Sequence, residues 1–311
     1  MTSSSHPAGT QSEPIVLGFS GSERATTIGV SLPTRFVTGA SATNALEGDW
    51  VDMYGSFDAC ITRLRELGVR SVELRDIREH TDPDDVVHAL DTLRDAGMGV
   101  SLHLWLPNEA HELDPLAFEV ERVLAADGVT VRAVLHGHSA PDEEHRSDAV
   151  DRTVDSLTAL CAALRDRDSP LEVVLELCRH KPGGPVGTTY HELVSIRDRV
   201  GAPELGLCWD LGHARSNHVA HDFDALPRAD FLACVRHTHI HDLAVDGRTH
   251  GPLAAATGPL REAVRLLARS GYHGIYDLEL EPRRWGMPPR EARSAVERSV
   301  GMLREMLEGA E

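Results

Sequence analysis

From Thr27 onward, short β-branched or leucine-rich runs alternate with longer segments whose apolar positions recur every three to four residues. Strands repeat every two residues and helices roughly every 3.6, so this alternation predicts a parallel sheet with crossover helices. The strand candidates are Thr27–Leu32, Ser71–Leu74, Gly99–Leu104, Val129–His136, Leu171–Leu175, Leu205–Asp210, Val235–His241 and Ile275–Leu280. Between them lie helix candidates at Phe57–Leu67, Pro83–Ala96, Pro115–Ala126, Asp142–Arg167, Tyr190–Val200, Leu260–Ser270 and Pro289–Glu308. Leu67-Gly68, Ala96-Gly97 and Ser270-Gly271 put a glycine where a helix would close on a left-handed residue. Eight strands with helical connections leave no long remainder, which predicts one domain over residues 25–311, a closed (β/α)8 or TIM barrel. An open doubly wound sheet fits less well, because no glycine-rich phosphate-binding turn follows the first strand. Residues 1–24, rich in Ser, Thr, Pro and Gly, are expected to form a flexible tail.

Polar residues gather at the downstream ends of these strands, where a barrel of this kind builds its active site. They are His103, His136, Glu176, Asp210 with His213, His239 between His237 and His241, and Glu279 with Glu281. Residues two apart on a strand share a face, so His237, His239 and His241 point one way, as do Asp277, Glu279 and Glu281. Trp209 points away from Asp210. Glu176 and Glu279 come from well-separated strands and converge only across a barrel mouth. Glu176, Asp210, His239 and Glu279 together make an oxygen-rich set with one imidazole. Such a set suits a divalent ion of moderate hardness, Mn2+ before Mg2+, Co2+ or Zn2+, better than a thiolate zinc site. An ion of that type can hold two vicinal substrate oxygens and polarise a carbonyl, while nearby carboxylates move protons. His103 and His136 could equally bind a substrate hydroxyl, a backbone carbonyl or an ion. Arg179, with His180 and Lys181, could recognise a carboxylate or phosphate, against the plainer reading of a solvated loop. Trp105 and Trp285 could wall the pocket or pack between loops. Glu73 reads as a partner of Arg75 sooner than as a substrate acceptor, and Pro182–Gly187 as a connection or a lid.

Charge narrows the partners. A formal net charge of −18 argues against a nucleic-acid partner, which relies on clustered Lys and Arg, and disfavours anionic membranes. The expected partner is a small molecule, with formation of a homo-oligomer left open. The 5 cysteines are scattered without a CxxC pair, which fits reduced thiols and a cytoplasmic location.

Three runs carry a family resemblance: Cys208-Trp-Asp210-Leu-Gly-His213, His237-Thr-His239-Ile-His-Asp242 and Gly271-Tyr-His-Gly274-Ile-Tyr-Asp-Leu-Glu279. In order and spacing they resemble the sugar phosphate isomerases/epimerases of the xylose isomerase-like TIM barrel superfamily, which also includes endonuclease IV. The resemblance implies metal ligands at Glu176, Asp210, His239 and Glu279 and a substrate contact at His213. It also implies an acid/base pair at Glu176 and Glu279. Two positions depart from the ketose epimerases: Val245 stands near an expected Arg, and Pro182 replaces a second Glu. His103, His136, His213 and His250 match histidines that hold further zinc ions in endonuclease IV, but Arg248 stands where that enzyme has an Asp.

The expected activity is metal-dependent isomerisation or epimerisation of a sugar-like polyol. The alternatives are a metal-dependent lyase that dehydrates a cyclic polyol or keto acid, an endonuclease IV-like zinc hydrolase, and a barrel that only binds a ligand.

Overall fold

The structure, a computed structural model, describes residues 26–127, 130–244, 246–254 and 258–310. The tail expected at 1–24 and the departure at Val245 lie outside these residues. Eight strands close into one parallel barrel in chain order. They are β1 Thr27–Pro33, β2 Val69–Arg75, β3 Gly99–Leu104, β4 Val131–Leu135, β5 Leu171–Glu176, β6 Gly206–Asp210, β7 Val235–Ile240 and β8 Ile275–Leu278. Three helices follow β1: α1 Thr34–Thr38, α2 Ala45–Tyr54 and α3 Phe57–Glu66. The next connections carry α4 Pro83–Asp95, α5 Asp114–Asp127, α6 Arg146–Asp166 and α7 Tyr190–Val200. After β6 come α8 Leu211–His221 and α9 Ala229–Leu232, then α10 Gly258–Arg269 and α11 Pro289–Glu308. Among the described residues, no helix is long and apolar enough to cross a membrane.

The strands bury two unlike faces. Val30, Leu32, Val72, Leu74, Leu102, Leu135, Leu175, Leu207, Trp209 and Leu278 are fully buried in the apolar layer between sheet and helices. Trp209 packs edge-on against Tyr190 and Phe231 there, opposite in parity to Asp210 as the alternation requires. Inside the barrel, Val134, Val174 and Cys208 form a small apolar plug. The interior is otherwise strongly polar: Ser31, Ser71, Glu73, Ser101, Glu176, Asp210, His237, His239, Asp277 and Glu279 are all buried.

Two helices have no clear apolar stripe, and hydrophobic periodicity does not predict them. Helix α2 starts on a capping box, in which Asn44 accepts from the Glu47 amide while Glu47 accepts from the Asn44 amide. Helix α8 buries Leu211, Gly212, His213, Ala214, Ser216 and Asn217, a set of small and polar residues packed over the barrel mouth. Its burial serves the site more than the core.

Candidate metal centre

Register brings the key residues level. Glu176 on β5 pairs with Cys208 on β6, Asp210 with His239 on β7, and His239 with Asp277 on β8. Glu279 follows β8 directly, and its amide donates to the Ile240 carbonyl at 3.2 Å. Ligand atoms of Glu176, Asp210, His239 and Glu279 all lie within 4.8 Å of one another. His239 Nδ1 is 3.3 Å from Glu176 Oε2, 3.9 Å from Asp210 Oδ2 and 3.5 Å from Glu279 Oε2.

One feature of this cluster is chemically demanding. Glu176 Oε1, Asp210 Oδ2, His239 Nδ1 and Glu279 Oε2 are buried, and none has a hydrogen-bond partner. Buried polar atoms left unpaired cost several kcal/mol in order of magnitude, and lone pairs aimed at one another repel. A cation among them removes both penalties, so the donor set fits a divalent metal ion.

Each of the four side chains is held by its other atom. Asp210 caps α8: its Oδ1 accepts the His213 amide at 2.6 Å, which turns Oδ2 toward the cluster. His241 Nε2 also lies 3.1 Å from Asp210 Oδ1. Gly212 makes that arrangement possible, because a Cβ there would meet the His241 ring at 2.0 Å. His239 turns Nε2 to Glu73, 3.0 Å away, and His237 Nε2 reaches the same carboxylate oxygen at 2.9 Å. Glu73 thus orients the His239 imidazole rather than pairing with Arg75. Arg75 instead bridges Glu279 and Glu281, at 3.1 and 3.0 Å. Deeper still, the Ser31 hydroxyl lies 2.5 Å from Asp277 Oδ2 and 3.2 Å from Glu73 Oε1. One hydroxyl proton cannot serve both carboxyls. Burial and the Glu73 charge push the Asp277 carboxyl well above its usual pKa, so it keeps its proton and leaves Ser31 free to donate to Glu73.

Electrostatics follow from this geometry. Burial opposes ionisation of Glu176, but His136, His239 and His103 hold its pKa well below normal. Glu279 is held down against burial by Arg75, His250 and His239, and Asp210 by His213 and His241. Burial disfavours the charged form of His239, yet Cys208 and the carboxylates of Glu73, Glu176 and Glu279 raise its pKa well above the ordinary value. Without an ion, the imidazole takes up the positive charge that the carboxylates attract.

The remaining expected residues fall into three places. His103 and His136 each put Nε2 3.1 Å from Glu176 Oε2, and His213 puts Nδ1 3.0 Å from Asp210 Oδ2. All three line a cavity of about 410 Å3 over the cluster, within the range of small-molecule sites. Arg179 lines it too. Trp105 is half-buried against the core and is not among the described lining residues. Trp285 donates its indole N–H to the Thr249 carbonyl at 3.0 Å, pinning the loop after β8 to the loop after β7.

Four further groups among the described residues have metal-like composition: Glu73-His237-His239 and His103-His239-Glu279 share His239 with the cluster, and the other two are His103-His136-Glu176 and His213-His241-His250. The bonding of these last two differs from that of the cluster. The two imidazoles of the former already point hydrogen-bonding nitrogens at Glu176. In the latter, His241 Nδ1 accepts the His250 amide at 3.0 Å, so a neutral ring carries its proton on Nε2, toward Asp210. In the four-residue cluster each side chain keeps one buried atom without a hydrogen-bond partner. Sequence reasoning named Arg75, Glu73 and His250 but not their partners: Glu73 meets His237 and His239, Arg75 meets Glu279 and Glu281, and His250 Nε2 lies 3.4 Å from Glu279. His250 has a left-handed φ of 59°, held by its amide bond to His241 and by a 2.7 Å bond from the Glu281 amide to its carbonyl.

The family model described as xylose isomerase-like TIM barrel matches residues 61–306. No curated protein matches the chain significantly. Among solved structures, a xylose isomerase domain protein from Alicyclobacillus acidocaldarius is 19% identical with a TM-score of 0.58, over 92% of this chain and 99% of that one. D-psicose 3-epimerase with D-tagatose, from Clostridium cellulolyticum, is 12% identical at TM-score 0.62, over 91% and 99%. 3-Keto-D-glucoside 4-epimerase from E. coli is 14% identical at 0.55, over 90% and 99%. At such identities the likeness establishes the fold alone.

Proposed function

Because the chain belongs to the xylose isomerase-like TIM barrel family, we propose that it is a divalent-metal-dependent isomerase or epimerase of a sugar-like polyol. Glu176, Asp210, His239 and Glu279 hold the ion in this reading, and Mn2+ is its best occupant. The observation that carries it is a buried cluster of four side chains whose ligand atoms lie within 4.8 Å of one another beneath a solvent-reached cavity, each side chain keeping one buried atom without a hydrogen-bond partner. The epimerase names of several structural neighbours support the substrate class.

When bound, the ion supplies Lewis acidity to vicinal substrate oxygens and fixes their orientation. The chain supplies the proton chemistry. Glu176 and Glu279 approach the cavity from β5 and from the end of β8, and both are ionised at neutral pH. Either can take a proton from a carbon next to a carbonyl. Return of that proton to the neighbouring carbon gives isomerisation. Epimerisation results when the first carboxylate keeps that proton and the second, having taken a proton from solvent through the cavity, donates it to the opposite face of the same carbon. His103 and His136 steady Glu176, while Arg75 and His250 steady Glu279, so neither carboxylate must reorganise as charge moves. His213 stands beside both Glu176 and Asp210 at the cavity wall, placed to bind a substrate hydroxyl.

The test is to incubate Mn2+-loaded protein with pentuloses, hexuloses, their phosphates and their uronate counterparts, following products by NMR and mass spectrometry. The expected result is a product of unchanged mass, lost on chelation and recovered with Mn2+. A product lighter by one water would replace isomerisation with dehydration at the same residues. Cleavage of abasic DNA with several zinc ions per chain would replace both.

A further inference from the structure

The cavity over the cluster is unusual for so acidic a chain: Arg75, Arg78, Arg179, Lys181 and Arg284 all line it. Three of them are neutralised by the protein itself. Arg75 is spent on Glu279 and Glu281, Arg78 sits 3.6 Å from Asp76, and Arg284 pairs with Glu281 at 3.0 Å. Arg179 and Lys181 differ: among the described residues neither has a carboxylate within ion-pair distance. Among the cations that line this cavity, Arg179 and Lys181 are therefore the two whose charge no carboxylate of the described residues neutralises.

Their backbone is rigid. The Cys178 amide donates to the Gly187 carbonyl at 2.9 Å, and Asn217 on α8 donates its side-chain amide to the Cys178 and Thr188 carbonyls, both at 2.9 Å. Asn217 Oδ1 accepts the His180 amide at 2.8 Å. Both peptide groups flanking Arg179 are therefore fixed by one buried residue. Beyond them, the Lys181–Gly184 turn closes with a 3.0 Å bond from the Gly184 amide to the Lys181 carbonyl. The Lys181 stem lies across Gly184, where a Cβ would meet its Cγ at 2.7 Å. The turn is tied to the loop after β4, with Ala140 donating to Gly184 and Val186 donating to His138, each at 3.0 Å. Pro182–Gly187 is thus a fixed wall rather than a lid. A guanidinium and an ammonium without carboxylate partners, carried on a fixed backbone beside a small-molecule cavity, suit recognition of an anion.

We propose that Arg179 and Lys181 form an anion subsite, and that the natural substrate is a sugar derivative bearing a phosphate or carboxylate group at the end remote from the metal cluster. The inference names the substrate class within the isomerase reading and rests on it, but binding alone tests it. Isothermal titration of the Mn2+-loaded protein would compare D-ribulose with D-ribulose 5-phosphate, D-fructose with D-fructuronate, and inorganic phosphate alone. The anionic member of one pair should bind about 10- to 100-fold tighter than its neutral partner, as a charge-assisted pair allows. The pair that shows the preference separates phosphate from carboxylate. In Arg179→Met with Lys181→Met, made at saturating Mn2+, the preference should collapse to within about threefold and phosphate binding should weaken in parallel. Equal binding of neutral and anionic sugars by the native protein overturns the subsite. A preference that survives both substitutions overturns it too, by placing the anion on the metal or on Arg75. An Arg179-dependent preference without turnover would keep the subsite and refute the isomerase reading, so the two failures are distinguishable.

Discussion

Glu73→Gln isolates what a buried charge does for a ligand imidazole. Glu73 is fully buried, accepts from His239 and His237 on one oxygen and lies beside Ser31 on the other. Glutamine has the same volume. With its amide oxygen toward the histidines and its NH2 toward Ser31, the bonds to His237 and His239 survive, while the Ser31 hydroxyl accepts from the NH2 and turns its own proton to Asp277. Charge-assisted bonds contribute roughly 1.5–3 kcal/mol and neutral ones about 1, so the change removes about 1–2 kcal/mol from the His239–Glu73 bond. A less basic imidazole then binds the ion about 5- to 30-fold more weakly, within what altered supporting residues do at metal sites. The assay is Mn2+ titration of metal-stripped protein, by calorimetry or by the EPR signal of free Mn2+, beside a thermal melt showing that the barrel is folded. Glu73→Leu should weaken binding further, because it leaves both His237 and His239 with an unpaired buried nitrogen. A Mn2+ affinity for Glu73→Gln within twofold of the native value would refute the claim that the Glu73 charge sets the basicity of His239.

Three other outcomes are expected. Asp210→Asn should keep the cap on α8, since Asn caps as well as Asp, and so keep the fold while metal occupancy and activity fall; full occupancy by elemental analysis would remove Asp210 from the ligand set. Glu176→Gln or Glu279→Gln, compared at saturating metal, should each lose at least about 10²-fold in turnover; turnover in deuterated water without label on substrate carbon would demote both to ligands only. The raised pKa of His239 means that metal-free protein binds a proton there at neutral pH, which an ion must displace. Mn2+ affinity should therefore rise about tenfold per pH unit until the pH passes the folded pKa, with about one proton released per ion. For the metal-free protein the sign reverses: protonated His239 adds stability below its unfolded pKa, and that contribution is lost as pH rises through the folded value. Melting temperatures that shift with pH in the same direction with and without metal would contradict this assignment.

Much of the architecture is written locally. Alternating apolar positions such as Val72 and Leu74, or Leu207 and Trp209, fix which strand face meets the helices, and they do so within a few residues of chain. The same parity places Glu176, Asp210, His239 and Glu279 on the interior side, and strand order then leaves them nowhere to meet but the barrel mouth. Helix α8 is not legible this way, because its buried face is chosen for the site and carries no apolar period.

What the sequence determined by itself is therefore the barrel, its single domain and the identity of the four converging groups. The tertiary structure alone decided their partners. Glu73 meets His239 from 166 positions away, across the barrel interior and not between neighbouring strands. Arg75 is aligned in sequence with Glu73 yet turns to Glu279 and Glu281. His241 lies two residues from His239 and bonds instead to the Asp210 that caps α8. Side-chain period and hydrogen-bond register are short-range properties of one strand or one pair. Which groups face each other across a closed barrel depends on strand tilt and stagger summed around all eight strands, and no local segment encodes that sum.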